Sequence, residues 1–285
     1  MRITSPRLRR QVRRATAAAA VVASAVALAA CGGSDSGGGG SSDNPLGLQT
    51  AGTLTVGMNL QFEPEMYLKN GEPAGYDVDL LNVLAKELGL KLKIENLDFN
   101  GLIPGLQSKK FDIVSVGLSP TPERKQAIDF SRGYVPYAQV VAVREGSTIP
   151  ATIDAFNQSG KKFAVLQGST GEQLTKKTFP KADVTGFSEQ NAALLQVATK
   201  RADASVLEDY LLAQYQKSNP GQLMKASFPK PLDVQYGSYG VTKGNSALVK
   251  RLDQFLCKAQ TDGTLERLYK KNFGVKEMPQ MPSGC

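Results

Sequence analysis

The sequence contains no histidine. That absence removes Ser/His and Cys/His nucleophilic arrangements and the commonest zinc ligand, leaving catalysis little to stand on. No P-loop or dinucleotide fingerprint occurs, so any ATP hydrolysis must belong to a partner. Neither a cofactor nor a metal is expected. Cysteine is scarce, at three residues: Cys31, Cys257 and Cys285. A true excess of positive charge is also missing. The formal charge of +8 is set by six arginines among the first fourteen residues, in a segment (1–30) without a single acid. Without those six, the 34 basic side chains fall nearly level with the 26 acids, which gives no electrostatic reason to expect nucleic acid.

The arginine-rich start precedes an Ala/Val-rich run, 15–30, that ends Leu28-Ala29-Ala30-Cys31. The run is too short and too weakly apolar for a convincing membrane span, and it reads as a secretory signal. Its ending resembles the lipobox of bacterial lipoproteins. That resemblance implies a signal peptide over 1–30, with Cys31 lipidated (palmitate included) as the new N-terminus. The next stretch, 31–50, begins Gly/Ser-rich and reads as a flexible tether. Cys257 and Cys285 then remain as an even pair, consistent outside the cytoplasm with a disulfide tying the C-terminal tail to a helix.

From Thr53 onwards the pattern is regular. Leu54, Val56 and Met58 alternate as a strand. Tyr76 to Leu88 has helical spacing, with Asp77 as a plausible N-cap and Gly89 as a C-terminal stop. A strand through Leu90, Leu92 and Ile94, a short helix over 101–108 and an apolar strand over 111–117 complete a β-α-β-α-β rhythm. The rhythm restarts at Phe163, with helices over 171–179, from a Ser188 cap to Lys200, and over 209–217. The expectation is α/β: two lobes, each a mainly parallel sheet flanked by helices, with a cleft between them.

Ligands of open α/β sheets sit beyond the strand C-termini, and three such ends carry unusual chemistry. In Ser115-Val-Gly-Leu-Ser-Pro-Thr-Pro-Glu-Arg124, Thr121 can cap a helix whose first turn holds Arg124. Arginine there is unhelpful to an isolated helix but suited to receiving a carboxylate, beside donors at Gly117 and Ser119. The loop Gln167-Gly-Ser-Thr-Gly171 offers backbone donors and the Ser169 and Thr170 hydroxyls, which also serve as ordinary caps. Glu208 and Asp209 follow a buried strand and suit an ammonium group. Donors for a carboxylate and an acceptor for an ammonium together describe an α-amino acid.

Five motifs in collinear order, 74–79, 100–107, 121–124 with 129–131, 165–170 and 262–265, resemble the family 3 solute-binding proteins of bacterial ABC importers. The resemblance covers about 52–275. It implies the two-lobed periplasmic-binding-protein fold (type II), with hinge strands near 134–138 and 233–237. Lobe 1 would then be 51–135 plus 237–285, and lobe 2 would be 136–236. By the same resemblance, Arg124 holds the α-carboxylate with Gly117, Ser119, Ser169 and Thr170, and Glu208 the ammonium, with Asp209 as a rival. Phe62, Phe99 and Leu166 would wall the side chain, although Phe62 and Phe99 are equally at home as core aromatics. Asn59 falls where several relatives carry an aspartate, which turns the expectation towards glutamine or glutamate and away from a cationic ligand. The implied protein is a non-enzymatic, lipid-anchored monomer in the periplasm or on the outer face of the cell membrane, which passes a polar L-amino acid to a permease and its ATPase subunits. A cyclohexadienyl dehydratase-like enzyme and a ligand-sensing module are the alternatives on the same fold.

Overall fold

The computed structural model describes residues 44–285, so the signal segment 1–30 and Cys31 lie outside the described residues. The first strand, β1 (Thr53–Met58), is followed by a small antiparallel sheet of β2 (Gln61–Phe62), β3 (Met66–Lys69) and β4 (Glu72–Ala74). Helix α1 (Tyr76–Leu88) then crosses to β5 (Lys91–Asn96), and α2 (Leu102–Gln107) crosses to β6 (Ile113–Leu118). Both β5 and β6 pair with β1 in parallel. The turn α3 (Pro122–Ala127) leads directly into β7 (Ile128–Arg144), the longest strand at 17 residues.

The second half contains α4 (Ile153–Phe156), β8 (Lys162–Leu166), α5 (Thr170–Thr178), β9 (Asp183–Phe187), α6 (Gln190–Ala198), β10 (Ala204–Glu208) and α7 (Asp209–Ser218). The short β11 (Leu223–Lys225) precedes β12 (Asp233–Thr242), and α8 (Ser246–Thr261) and α9 (Thr264–Phe273) return to pack beside α1 and β7.

Register explains why two lobes form. Strand β12 pairs with β6 through Ser238↔Leu118 to Val241↔Ile113, and β10 pairs with β7 from Glu208↔Gln139 to Ala204↔Val143. Between these regions, Val135–Ala138 and Val234–Gly237 pair only with each other. The first lobe's sheet (β5-β1-β6-β12-β7) and the second's (β7-β10-β8-β9, with β11 on β7) therefore join through a two-stranded ribbon. That ribbon falls where the hinge is expected.

A dense aromatic centre holds the second lobe together. Phe163 stacks on Phe179 at 4.9 Å between centroids, and Phe156 packs against both at 6.0 Å. All three are at most 1% exposed, inside a cluster with Val141, Val165 and Val206. The three rings come one each from the end of α4, from β8 and from the residue that ends α5.

Three local expectations change. Residues 44–50, taken as the end of a tether, pack on the first lobe: Leu48 is buried, Asn245 donates to the Leu46 carbonyl and the Gln49 N–H donates to Asp112. Apolar Leu46 and Leu48 interrupt the Gly/Ser composition and supply the reason. Asp77 does not cap α1, because Gly75 holds that position and Asp77 lies inside the helix with its carboxylate buried. Helix α6 starts at Gln190 after Glu189, whose side chain makes no capping bond, one residue later than the Ser188 cap implied. Replacing Phe179 by Ala should lower unfolding stability by about 3–5 kcal/mol, read as a reduced urea midpoint, because the rings around it cannot collapse into the void.

Candidate functional site

Thr121, in extended conformation, accepts the Arg124 N–H at 3.3 Å, and Pro122 fills the first turn of α3. This start folds the Arg124 side chain back over the end of β6, where it is 6% exposed. Its guanidinium donates to the Ser119 carbonyl at 3.0 Å and, across the cleft, to the Gly168 carbonyl at 2.9 Å. The Phe99 ring lies 5.7 Å below the guanidinium. Burial lowers the Arg124 pKa to about 10, and nearby Glu208 opposes that shift, so the group remains a cation at neutral pH. Among the described residues no ion pair involves Arg124. A buried cation whose partners are carbonyl dipoles is suited to receive an anion.

A small cavity of about 30 Å³ lies at this point, between the lobes. Nine of the eleven anticipated ligand residues line it: Phe62, Phe99, Gly117, Ser119, Arg124, Leu166, Ser169, Thr170 and Glu208. Phe62 and Phe99 meet edge to face at 6.2 Å. Ser169 caps α5 by accepting the Glu172 N–H at 3.0 Å, and the Thr170 hydroxyl accepts from Gln139. Glu208 ends β10 and receives the Gln139 side-chain amide at 2.8 Å, while burial raises its carboxyl pKa.

Two anticipated residues stand outside the cavity lining. Asp209 is exposed and accepts the Tyr210 N–H at the start of α7, so the geometry favours Glu208 over it as an inward acid. Asn59 is buried but donates to the Leu97 carbonyl at 2.7 Å and accepts from Gln61. Gly117 lines the cavity, yet its N–H donates to the Tyr134 hydroxyl at 3.2 Å, so the expected donor is already engaged. Only glycine fits there. Its φ is +55°, and a Cβ would sit 1.5 Å from the Tyr137 hydroxyl oxygen.

Sequence reasoning missed the acidic end of the cavity. Glu65, between β2 and β3, is 1% exposed and accepts from the Tyr137 hydroxyl on the hinge ribbon and the Tyr210 hydroxyl of the second lobe. Behind it Asp77 is fully buried and accepts from Ser115 and Tyr134, each at 2.6 Å, while its other oxygen has no partner. Burial raises Glu65 well above the usual carboxylate range, with Asp77 adding to the effect, and burial pushes Asp77 up to about 7. The only signal in the sequence was an acid beside an aromatic in Phe62-Glu-Pro-Glu65, which by itself looks like a surface turn. A further bridge lies outside the cavity: the Gln190 N–H donates to Gln61 at 2.8 Å, and the Gln61 amide reaches the Ser188 carbonyl at 3.5 Å.

The profile of the bacterial extracellular solute-binding proteins, family 3, matches residues 54–275. This chain belongs to that family. It is 31% identical over 225 residues to the arginine-binding extracellular protein ArtP of Bacillus subtilis (strain 168), a match covering 77% of this chain and 86% of that protein. An ancestral arginine-binding protein bound to glutamine superposes with a TM-score of 0.72 at 34% identity, over 79% of this chain and all of its own. The ancestral amino acid-binding protein AncCDT-1, described as a precursor of cyclohexadienyl dehydratase, gives 0.71 at 34% identity over 78% of this chain and 96% of its own. Further relatives include the ABC transporter arginine-binding protein 1 of Escherichia coli (strain K12), 27% identical over 78% of this chain and 91% of its own. Among the described residues no helix is long and apolar enough to cross a membrane.

The raised Asp77 carboxyl has a sign that can be measured. Folding favours its protonated form, so its contribution is complete below the ordinary carboxylate pKa of 3.8 and is lost as pH rises through about 7. Urea midpoints of the protein without added amino acids should therefore decline more steeply over that window than those of Asp77→Asn. Parallel pH profiles for the two proteins would exclude this account.

Proposed function

We propose that the protein is the extracytoplasmic receptor of an ABC importer, which closes its two lobes on a polar L-amino acid and presents it to a permease with its ATPase subunits. The observation carrying this reading is the buried Arg124 guanidinium, which faces the cleft with no acidic partner of its own. The α-carboxylate would bind Arg124, the Ser119 and Thr170 hydroxyls and the α5 N-terminus, and the α-ammonium would bind Glu208. Lobe 1 is taken as 51–135 plus 237–285 and lobe 2 as 136–236, with bending at the ribbon that pairs only with itself. Charge-assisted bonds from both lobes form together only when the cleft shuts, so closure follows binding energy.

The preference for glutamine or glutamate rests on Asn59, and that support weakens because Asn59 is bonded outside the cavity. Glutamate in particular would bring a third carboxylate towards Glu65 and Asp77. Thermal shift against the standard amino acids tests the reading: at least one should raise the unfolding temperature. Arg124→Ala should cost about 2–5 kcal/mol of that ligand's affinity by calorimetry. Near-normal affinity in the variant would remove Arg124 from the site, and turnover of arogenate or prephenate with no amino-acid binding would make the protein an enzyme.

The lipid anchor at Cys31, the signal peptide and a monomeric state complete the proposal. The disulfide belongs here as well. Cys257 and Cys285 are free thiols in this structure, but the tail lies along α8, with Gln260 donating to the Pro282 carbonyl, and the Cys285 thiol pKa is raised by burial and by the adjacent Cys257. An oxidising compartment would join them. Intact mass of protein extracted from membranes checks both points: it should carry acyl chains on Cys31 and take up no alkylating reagent at Cys257 and Cys285.

A further inference from the structure

The zwitterionic end of an amino acid uses one cation and one anion of the cleft, Arg124 and Glu208. That leaves Glu65 and Asp77, two buried acids with no basic residue paired to either among the described residues. We propose that Glu65 is the specificity-determining residue of the cleft, its carboxylate backed by Asp77 receiving the N–H donors of a cationic ligand side chain. This rests on the amino-acid reading above and names the ligand class of the same site.

Three observations carry it. Glu65 lines the same cavity as Arg124 and Glu208, with the Phe62, Phe99 and Leu166 side chains also on its wall. Apolar and aromatic walls leading to an acid suit an alkyl stem that ends in an ammonium or guanidinium group. The titratable groups around Glu65 are Tyr76 and Asp77 from α1, Tyr134 and Tyr137 from β7, Glu208 from β10, Tyr210 from α7, Tyr239 from β12 and Tyr269 from α9. None is a cation, and Arg124 is taken up with the other end. Finally, one oxygen of Asp77 is buried without a partner, so the pair is short of positive charge. Burial raises both carboxyl pKa values, so the pair retains a proton in the free protein, and a cationic side chain would take that proton's place.

Replacement of a proton by a cation gives a readout that a merely structural role would not move. Binding of L-arginine or L-lysine should release protons and tighten as pH rises from about 5 to about 8, whereas L-glutamine binding should change little. Calorimetry on the mature chain with L-arginine, L-lysine, L-glutamine and L-glutamate measures both. The expected order places arginine or lysine first and glutamate last. In Glu65→Gln the cationic ligand should lose about 30-fold or more, while glutamine changes by less than about tenfold, and the pH dependence should flatten. Should Glu65→Gln fail to fold, Glu65→Asp serves instead: it keeps an acid on a shorter stem, so it should weaken the cationic ligand more than glutamine while keeping the pH dependence. Wild-type protein preferring glutamine or glutamate, or a pH-independent affinity for arginine and lysine, overturns the Glu65 assignment alone. Failure of all four ligands to bind overturns the amino-acid reading and this inference together.

Discussion

The ladder between β7 and β12 governs where every group in the cleft can sit. It runs from Asp233↔Gln139 to Thr242↔Ile128, shared with β6 at one end, while β7 takes up β10 at the other. Since side chains alternate along a strand, a slip of one residue would exchange the faces of both lobes. Tyr134 and Tyr137 reach Asp77 and Glu65 only in the observed register. The close approach at Gly117 follows from the same constraint, because Gly237 on β12 packs against its backbone.

On that frame the cleft has an uneven distribution of charge. Arg124 provides its one buried guanidinium, whereas Glu65, Asp77 and Glu208 provide three acids, each shifted upward by burial. Separated charges of this kind are costly to hold in a low-dielectric space, and tyrosine hydroxyls and the Gln139 amide moderate the cost without neutralising it. Stability has been given up locally to keep polar groups oriented. The aromatic centre of the second lobe and the long apolar cluster of the first supply the compensating burial.

Much of this was legible in the residues. Strand and helix periods gave the α/β alternation, and Thr121-Pro122 with Arg124 marked a helix start built around an arginine. Small residues in Gln167–Gly171 marked a second donor loop. These signals are local, and local order survives in the fold. Glu65, Tyr137, Gln139 and Tyr210 were not legible because their meaning is positional: they come from a turn, two positions of β7 and a helix, and meet only after the lobes come together. Asn59 was misleading for the same reason, since its side chain is spent on the Leu97 carbonyl. Asp77 resembled a cap because capping and burial both favour a short acid near a helix start.

Gln61 bonds the second lobe at Ser188 and Gln190 yet is absent from the cavity wall. A contact of that kind contributes the same energy whatever lies inside, so it shifts the strength of binding for every ligand alike and the ranking for none. Strength and choice are therefore written in different residues of this molecule, and each is free to drift while the other is held.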